Sequence, residues 1–250
     1  MITRILSALL LISLFAPLSG VIFESDDIHV ISNHLHPQKR ILLLFDIDNT
    51  IARSSSVLGS DEWNSYKLQE LVAQGNSYLQ AVHIHIPLFF QLMHELELEL
   101  VDHRTADFIA HLQTQNHHVC ALTARSRPIM ERTVIQLQNV GINFVSSSPF
   151  SAKQYHDNCH CLDGIIFTDG TNKGIALDHV LKEHAHLHYD LVIFVDDKRK
   201  YLEEVETVLA AYGIEFVGIR YSRADHFVHA YDPAVADQLL EQWLAQKASV

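Results

Sequence analysis

Residues 41–50 have the sequence ILLLFDIDNT, in which five consecutive apolar residues lead directly into a polar turn with two aspartates. An apolar run of this length is typical of a strand buried on both faces of a parallel sheet. We place the first strand at 41–46, and similar runs follow at 118–123, 142–145, 191–196 and 215–219. Helical periods lie between and after them at 127–139, 173–186, 198–212 and 233–246. This alternation predicts an α/β fold with a doubly wound (Rossmann-like) parallel sheet and helices on both faces.

One interval breaks the alternation. Residues 52–116 are too many for one crossover helix and are mostly helical in period. We interpret them as a mainly helical cap inserted after the first strand, and we expect Pro87 to kink or divide it. Residues 21–51 and 117–250 then form the core. A second irregular piece, 146–172, contains a predicted hairpin from 159 to 167 around Asp163-Gly164.

Composition and charge limit the classes of partner. The chain has 250 residues, nearly half of them apolar, which is enough to bury the core of one domain. Its formal net charge of −12 opposes binding to nucleic acid and to anionic membrane surfaces. A small phosphorylated substrate remains compatible with this charge if its site is locally positive. The sequence carries no indication of an oligomeric state.

The first 20 residues resemble a signal peptide. Arg4 precedes an apolar run at 5–15, and Pro17-Leu18-Ser19-Gly20 ends the run with small residues. A bilayer span needs about 20 apolar residues, so the run is too short for a stable membrane anchor. The sequence therefore predicts an exported protein, periplasmic or secreted. The alternative is an uncleaved N-terminal helix.

The cysteines and histidines do not form a clear metal motif. Cys120 belongs to an apolar run, and Cys159 and Cys161 flank His160. Zinc ligands usually come in pairs separated by two to four residues, which this spacing does not match. A strained or redox-active pair and ordinary free thiols both stay open. The 18 histidines scatter along the chain without an H-E-x-x-H array.

Polar residues follow the predicted strands at the places where parallel sheets bind ligands. Asp46 and Asp48 follow the first strand, Thr123 ends the second, Lys173 opens a helix, and Asp196-Asp197 ends another strand. Each has a structural alternative: Thr123 and the aspartate pair could cap the helices that follow, and Lys173 could be a solvated first-turn lysine. Together they predict one site at the carboxyl edge of the sheet.

In order and placement, these residues resemble the motifs of the haloacid-dehalogenase superfamily. The run at 46–50 resembles its D-x-D-x-T motif, and Thr123, Lys173 and Asp196-Asp197 resemble the other three, over residues 40–220. The segments 58–63 and 165–170 are similar to those of a group of bacterial, signal-bearing members. That closer similarity implies the fold and no particular substrate.

The resemblance implies a phosphohydrolase that acts on a small phosphate monoester. Asp46 would attack phosphorus and form an aspartyl-phosphate, and Asp48 would serve as general acid and then as general base. Thr123 would hydrogen-bond a phosphate oxygen. Lys173 would neutralise charge and hold Asp46 ionised.

The resemblance also implies Mg²⁺ as the cofactor. Hard oxygen ligands suit this ion, and we expect them from Asp46, the backbone carbonyl of Asp48 and Asp197. Asp196 would orient the site from outside the coordination sphere.

Two further residues are candidates for substrate binding. Arg125 could reach the substrate or form a surface pair, and Trp63, with Tyr66, could close over the substrate or form the core of the cap. A phosphotransferase or phosphomutase would use the same site. A secreted, non-catalytic binding protein with the same fold is the alternative from another class.

Overall fold

The computed structural model describes residues 20–115 and 117–249. The strands are β1 Val21–Ser25, β2 Ile41–Phe45, β3 Ala52–Ser54, β4 Leu98–Leu100, β5 His118–Thr123, β6 Lys153–His156, β7 Cys159–Leu162, β8 Ile165–Phe167, β9 Leu191–Asp196 and β10 Glu215–Tyr221. The α-helices are α1 Asp61–Ala73, α2 Tyr78–Glu95, α3 Thr105–Thr114, α4 Met130–Asn139, α5 Lys173–Glu183, α6 Arg199–Tyr212, α7 Asp225–His229 and α8 Pro233–Ala248. Short 3₁₀ helices cover Ile28–His34 and Arg127–Ile129. The predicted signal peptide lies outside the described residues, except for Gly20.

The large sheet is mostly parallel and has the order β1-β10-β9-β2-β5-β8-β7-β6. The pairs from β1 to β8 are parallel, whereas β7 and β6 pair antiparallel at one edge. Every residue of β2 and β9 is buried, because neither face of the sheet is open to solvent at its centre. The prediction of an α/β protein with a large, mostly parallel sheet is confirmed.

Helices pack on both faces of the sheet. Residues of α3 and α4, such as Phe108 and Leu137, join the core cluster of one face. Residues of α5 and α6, such as Leu177 and Val205, join the cluster of the other. Adjacent residues of the central strands enter opposite clusters, which explains why their sequences are continuously apolar.

The predicted strands differ in places from the observed ones. The run at 142–145 forms no strand, because the chain turns there and the N–H groups of Ser147 and Ser148 donate to the Phe144 carbonyl. Ile142 and Phe144 of this turn are buried in the core, and the strand that pairs with β5 on the side away from β2 is β8. A strand missing from the prediction, β1, pairs with β10 and is only half buried. The helical insert therefore follows the second strand of the large sheet, not the first.

The predicted hairpin at 159–167 is present. Strands β7 and β8 pair antiparallel, and both residues of the turn between them, Asp163 and Gly164, have positive φ. A Cβ on Gly164 would lie 2.7 Å from the Phe144 carbonyl oxygen, so glycine is required at this position.

The inserted cap consists of α1 and α2 and enters between β3 and β4, which pair antiparallel. It is shorter than the predicted 52–116, because α3 packs on the sheet and belongs to the core. Helix α2 is continuous through Pro87, and the break between the two cap helices falls at 74–77 instead.

The C-terminal helix α8 packs on the cap, although the sequence assigns it to the core. Ala236 of α8 is buried in one apolar cluster with Leu58, Trp63 and Leu92 of the cap segment. Lys67 of α1 also donates to the Asp237 carboxylate at 2.7 Å. The cap is therefore a three-helix unit of α1, α2 and α8. Among the described residues, no helix has the length and apolar character that crossing a membrane requires.

Candidate active site

Acidic side chains from two neighbouring strands meet at the carboxyl edge of the sheet. Asp46 directly follows β2, Asp196 is the last residue of β9, and Asp197 comes next. One carboxylate oxygen of each lies within 4.8 Å of those of the other two. Thr123 ends β5, which pairs with the other side of β2. The strand order reverses at β2, and such reversals in parallel sheets form ligand crevices.

Lys173 joins two of these carboxylates. Its Nζ donates to Asp46 Oδ1 at 2.6 Å and to Asp196 Oδ2 at 2.7 Å, and its side chain has no solvent exposure. The ring of Tyr201 lies 4.4 Å from Nζ. Because the ammonium is buried with both carboxylates, the three groups form one charged unit that water does not screen.

The start of α5 fixes the position of Lys173. Asn172 caps the helix by accepting the Ile175 N–H, and the Lys173 N–H donates to Glu204 Oε2 of α6 at 2.8 Å. A Cβ on Gly174 would lie 2.1 Å from the Glu204 carbonyl oxygen. Glycine at this position therefore lets α5 approach α6 closely enough to direct Lys173 to the sheet edge.

The loop after β2 is a tight turn built on backbone hydrogen bonds. The Asp46 N–H donates to the Val195 carbonyl at 2.9 Å, which extends the β2–β9 pairing to the aspartate. The Ile51 N–H then donates back to the Ile47 carbonyl, and Asn49 has φ +58°. Asparagine adopts this left-handed conformation more readily than most residues. The loop thus turns immediately after Asp48.

Two side chains hold the backbone of Asp197. Its N–H donates to Thr50 Oγ1 at 3.0 Å, and its carbonyl accepts from Arg220 Nε at 3.0 Å. Among the described residues, no side chain or N–H group donates to the Asp197 carboxylate. Both oxygens of Asp196 are engaged by contrast, Oδ2 by Lys173 and Oδ1 by the Lys198 N–H.

The acidic cluster has excess negative charge. Burial and repulsion from Asp196 outweigh the attraction of Lys173 and raise the pKa of Asp46 to about 7. Burial also raises the pKa of Asp196, and burial with repulsion from Asp196 and Asp46 raises that of Asp197 well above its usual range. Burial alone would lower the pKa of Lys173, but the two carboxylates raise it instead. Three carboxylates thus share one buried ammonium, and a cation would relieve the imbalance.

Asp48 forms a two-pronged ion pair with Arg125. Arg125 Nε donates to Oδ2 at 2.9 Å and Nη2 donates to Oδ1 at 2.8 Å. Burial acts to raise the pKa of Asp48, but the charge and hydrogen bonds of Arg125 outweigh it and lower the pKa. The Arg125 N–H donates to Thr123 Oγ1 at 3.2 Å, which ties both residues to the end of β5. Arg125 is buried, so its pair with Asp48 is not the surface pair that was its alternative role. Its contact with substrate stays a prediction.

Residues 24–249 match the family model described as "Protein of unknown function (DUF2608)". This chain belongs to the DUF2608 family. It is 24% identical over 230 residues to a Chlamydia trachomatis protein named "Putative outer membrane protein", an alignment that covers 91% of this chain and 87% of the relative. A protein of similar name from Chlamydia pneumoniae is 22% identical over 199 residues, covering 79% of this chain and 76% of the relative.

Trp63 of this DUF2608 protein, predicted to close over the substrate or to form the core of the cap, lies within the cap. Its side chain is fully buried in the cap cluster, with the His85 ring 4.8 Å away edge-on. The indole therefore contributes to the core of the cap, which was the structural alternative. Tyr66 contacts Tyr231 of the C-terminal segment at 5.7 Å between ring centroids.

Sequence reasoning missed the residues that join the cap to the site. Lys198 Nζ donates to Asp61 Oδ2 at 2.7 Å, and Asn49 Nδ2 donates to Glu62 Oε1 at 2.6 Å. Asp61 and Glu62 form the first turn of α1 after the capping Ser60. Their position was readable as a helix start, but their partners, 137 and 13 residues away in the chain, carry no local signal.

The cysteines of this DUF2608 protein are free and buried. Cys159 and Cys161 lie on the same face of β7, within an apolar cluster. Burial raises the pKa of each thiol to about 12. Thiols in this state are not ionised near neutral pH, which favours the interpretation as ordinary free thiols over a redox-active pair.

Proposed function

We propose that this protein is a Mg²⁺-dependent phosphohydrolase of the haloacid-dehalogenase type, with a doubly wound core, that cleaves a small phosphate monoester. The observation that carries the proposal is the buried unit of Asp46, Lys173 and Asp196 with Asp197 beside it at the sheet edge. Groups with strongly perturbed pKa values cluster at functional sites. The site combines a carboxylate nucleophile, a fixed ammonium and oxygen ligands, which are the parts that phosphoryl transfer needs.

The donor set fits magnesium. Carboxylate and carbonyl oxygens are the ligands this ion prefers, and Asp46, the Asp48 carbonyl and Asp197 would supply them. Asp196, whose oxygens are already engaged, would orient Lys173 and the loop at 197–198. When bound, Mg²⁺ would offset the excess negative charge of the cluster and the charge of the phosphate.

The proposed reaction has two displacements at phosphorus. In the first, a carboxylate oxygen of Asp46 forms a bond to phosphorus while the ester P–O bond breaks, and Asp48 gives a proton to the departing oxygen. In the second, Asp48 takes a proton from water, the water oxygen bonds to phosphorus, and Asp46 leaves as the carboxylate. Lys173 and the Thr123 hydroxyl would contact the phosphate oxygens. The Arg125 pair favours the ionised Asp48 that the second step requires, and the proton that Asp48 takes from water there is the one it gives to the departing oxygen in the next turnover.

We also propose that the protein is exported. The relatives' name refers to the outer membrane, and the N-terminal 20 residues resemble a signal peptide. Strand β1 begins at Val21, so cleavage after Ser19 or Gly20 would leave the sheet whole. Mass spectrometry of the periplasmic or secreted fraction should find a mature chain that begins near residue 20. Full-length protein in the cytoplasm would contradict export.

A phosphatase screen tests the function. The protein from residue 21 onward is assayed against aryl, sugar, nucleoside and lipid-headgroup phosphates, with Mg²⁺ and with chelator. We expect hydrolysis of at least one ester with Mg²⁺ and none with chelator. Asp46→Asn should be inactive, whereas Asp157→Asn, in an exposed turn, should keep full activity. If the wild type hydrolyses none of these esters but binds one of them, the protein is a binding protein instead.

A further inference from the structure

A chain of buried hydrogen bonds continues from Arg125 into α4. Arg125 Nη1 donates to Thr133 Oγ1 at 3.1 Å and to Gln136 Oε1 at 3.0 Å. Thr133 and Gln136 are three residues apart and lie on the same face of α4. Both residues are buried: Thr133 has no exposed surface, and Gln136 is only 1% exposed. The guanidinium that holds Asp48 is thus itself held in one orientation.

The same glutamine reaches the cap. Gln136 Nε2 donates to the Met93 carbonyl at 3.0 Å and to the Leu96 carbonyl at 2.7 Å. These are carbonyls at the C-terminal end of α2, where the last residues of a helix lack partners within it. The Gln136 amide can bind both carbonyls and the Arg125 guanidinium at once only while the end of α2 stays in its observed position. The contacts therefore connect Asp48 to the cap without passing through solvent.

A purely structural explanation does not account for all of these contacts. A buried arginine needs hydrogen-bond acceptors, and the carboxylate of Asp48 with Thr133 and Gln136 would satisfy it. That need does not explain why the acceptor on α4 also binds the cap. These hydrogen bonds join Asp48, the proposed general acid and base, to helix α2 of the cap.

We propose that Arg125 and Gln136 are positioning residues that set the orientation of Asp48 according to the position of the cap. This inference rests on the proposed function. With α2 in the observed position, Gln136 holds Arg125, and Arg125 directs both oxygens of Asp48. When α2 moves away, Gln136 loses its carbonyl partners and Arg125 is no longer fixed. Proton transfer at the departing oxygen and at water is then efficient only under a closed cap.

The test measures the leaving-group dependence of kcat. Esters with poor leaving groups need the proton from Asp48 in the first step, whereas an activated aryl phosphate needs it little. Gln136→Met keeps the volume of the side chain and removes its hydrogen bonds. We expect it to lower kcat for an alkyl phosphate about tenfold more than for p-nitrophenyl phosphate, since general acid catalysis contributes about 10²–10⁴-fold in all. KM should change by less than about threefold, because phosphate contacts are untouched.

Arg132→Gln is the matched control. Arg132 lies on the same helix and also donates to the Leu96 carbonyl, at 2.8 Å. Within the described residues, no hydrogen bond joins it to Arg125. In Arg132→Gln, the ratio of kcat for the alkyl phosphate to kcat for p-nitrophenyl phosphate should be the same as in wild type. Arg125→Lys keeps the charge and loses the two-pronged geometry, so it should lower this ratio as Gln136→Met does. It replaces Gln136→Met in the test if Gln136→Met fails to fold.

The outcomes separate the two claims. If wild type is active and the ratio is unchanged in both Gln136→Met and Arg125→Lys, the buried connection is structural only and this inference is overturned. A ratio that falls equally in Arg132→Gln would also overturn it, because the effect would then come from cap anchoring alone. If wild type hydrolyses none of the esters of the phosphatase screen, the proposed function fails, and this inference fails with it.

Discussion

Lys173 donates to two carboxylates from a position without solvent exposure. Replacing it with methionine would leave Asp46 and Asp196 buried without their counter-charge. We expect Lys173→Met to lower the free energy of unfolding by about 3–5 kcal/mol, which is typical of removing one partner of a buried pair. Chemical denaturation monitored by circular dichroism measures this.

Lys182→Met is the matched control on the same helix. Lys182 pairs with Asp178 one turn away and is mostly exposed, so its removal should cost at most about 0.5 kcal/mol. Equal effects of the two substitutions would mean that the Lys173 pairs do not stabilise the fold.

The two neighbouring aspartates at the end of β9 should differ in their effect on metal binding. The Asp197 carboxylate is free of protein donors among the described residues, whereas both oxygens of Asp196 are occupied. Mg²⁺ that binds only the folded state raises the melting temperature. We expect Asp197→Asn to abolish this rise in a thermal unfolding titration and Asp196→Asn to reduce it less. Equal, small effects of the two would show that the assignment of ligand and orienting residue is wrong.

At the scale of elements, the cap contains a buried histidine that makes its packing sensitive to acid. His85 of α2 lies against Trp63, and its Nε2 has no hydrogen-bond partner in the part of the chain that the structure describes. Burial lowers its pKa from 6.5 to about 4. The folded state therefore binds fewer protons than the unfolded state between these values. The contribution of neutral His85 to stability is complete above pH 6.5 and is lost as the pH falls towards 4.

This effect can be isolated by substitution. Between pH 7 and pH 4.5 the wild type should lose about 2–3 kcal/mol of unfolding free energy through His85. His85→Leu should remove that part of the acid sensitivity. His83→Leu, at an exposed position on the same helix, should retain it. Identical pH dependence of the two variants would contradict a neutral, buried His85.

Elements with a strong local pattern were predictable, and those that depend on distant partners were not. The predicted bounds of β5 and β9 match the structure, because each contains an uninterrupted apolar run that ends at a polar residue. β1 was missed, since a short, half-buried edge strand has no such run. The packing of α8 on the cap was also missed, because an apolar helix face does not specify which surface covers it.

At the scale of the molecule, the same distinction applies to the site. The residues that follow strands could be placed at one edge from the sequence, since parallel strands share a carboxyl end. The partner of Asp48 could not be predicted from the sequence, because Arg125 is 77 residues away and its hydrogen bonds depend on the packing of α4. Likewise, the contacts of Asp61 and Glu62 with the site arise only when the cap is placed over the sheet.

The central claim is that Asp46 forms a covalent bond to phosphorus. Brief incubation with p-nitrophenyl phosphate and Mg²⁺, followed by acid quench and peptide mass spectrometry, measures it directly. Asp48→Asn should accumulate the phosphorylated form, because an amide cannot deprotonate the water that cleaves the intermediate. We predict a phosphoryl mass increment on the peptide that contains Asp46, strongest in Asp48→Asn and absent in Asp46→Asn. Turnover by Asp46→Asn at the wild-type rate, or a phosphoryl group on another residue, would contradict the account.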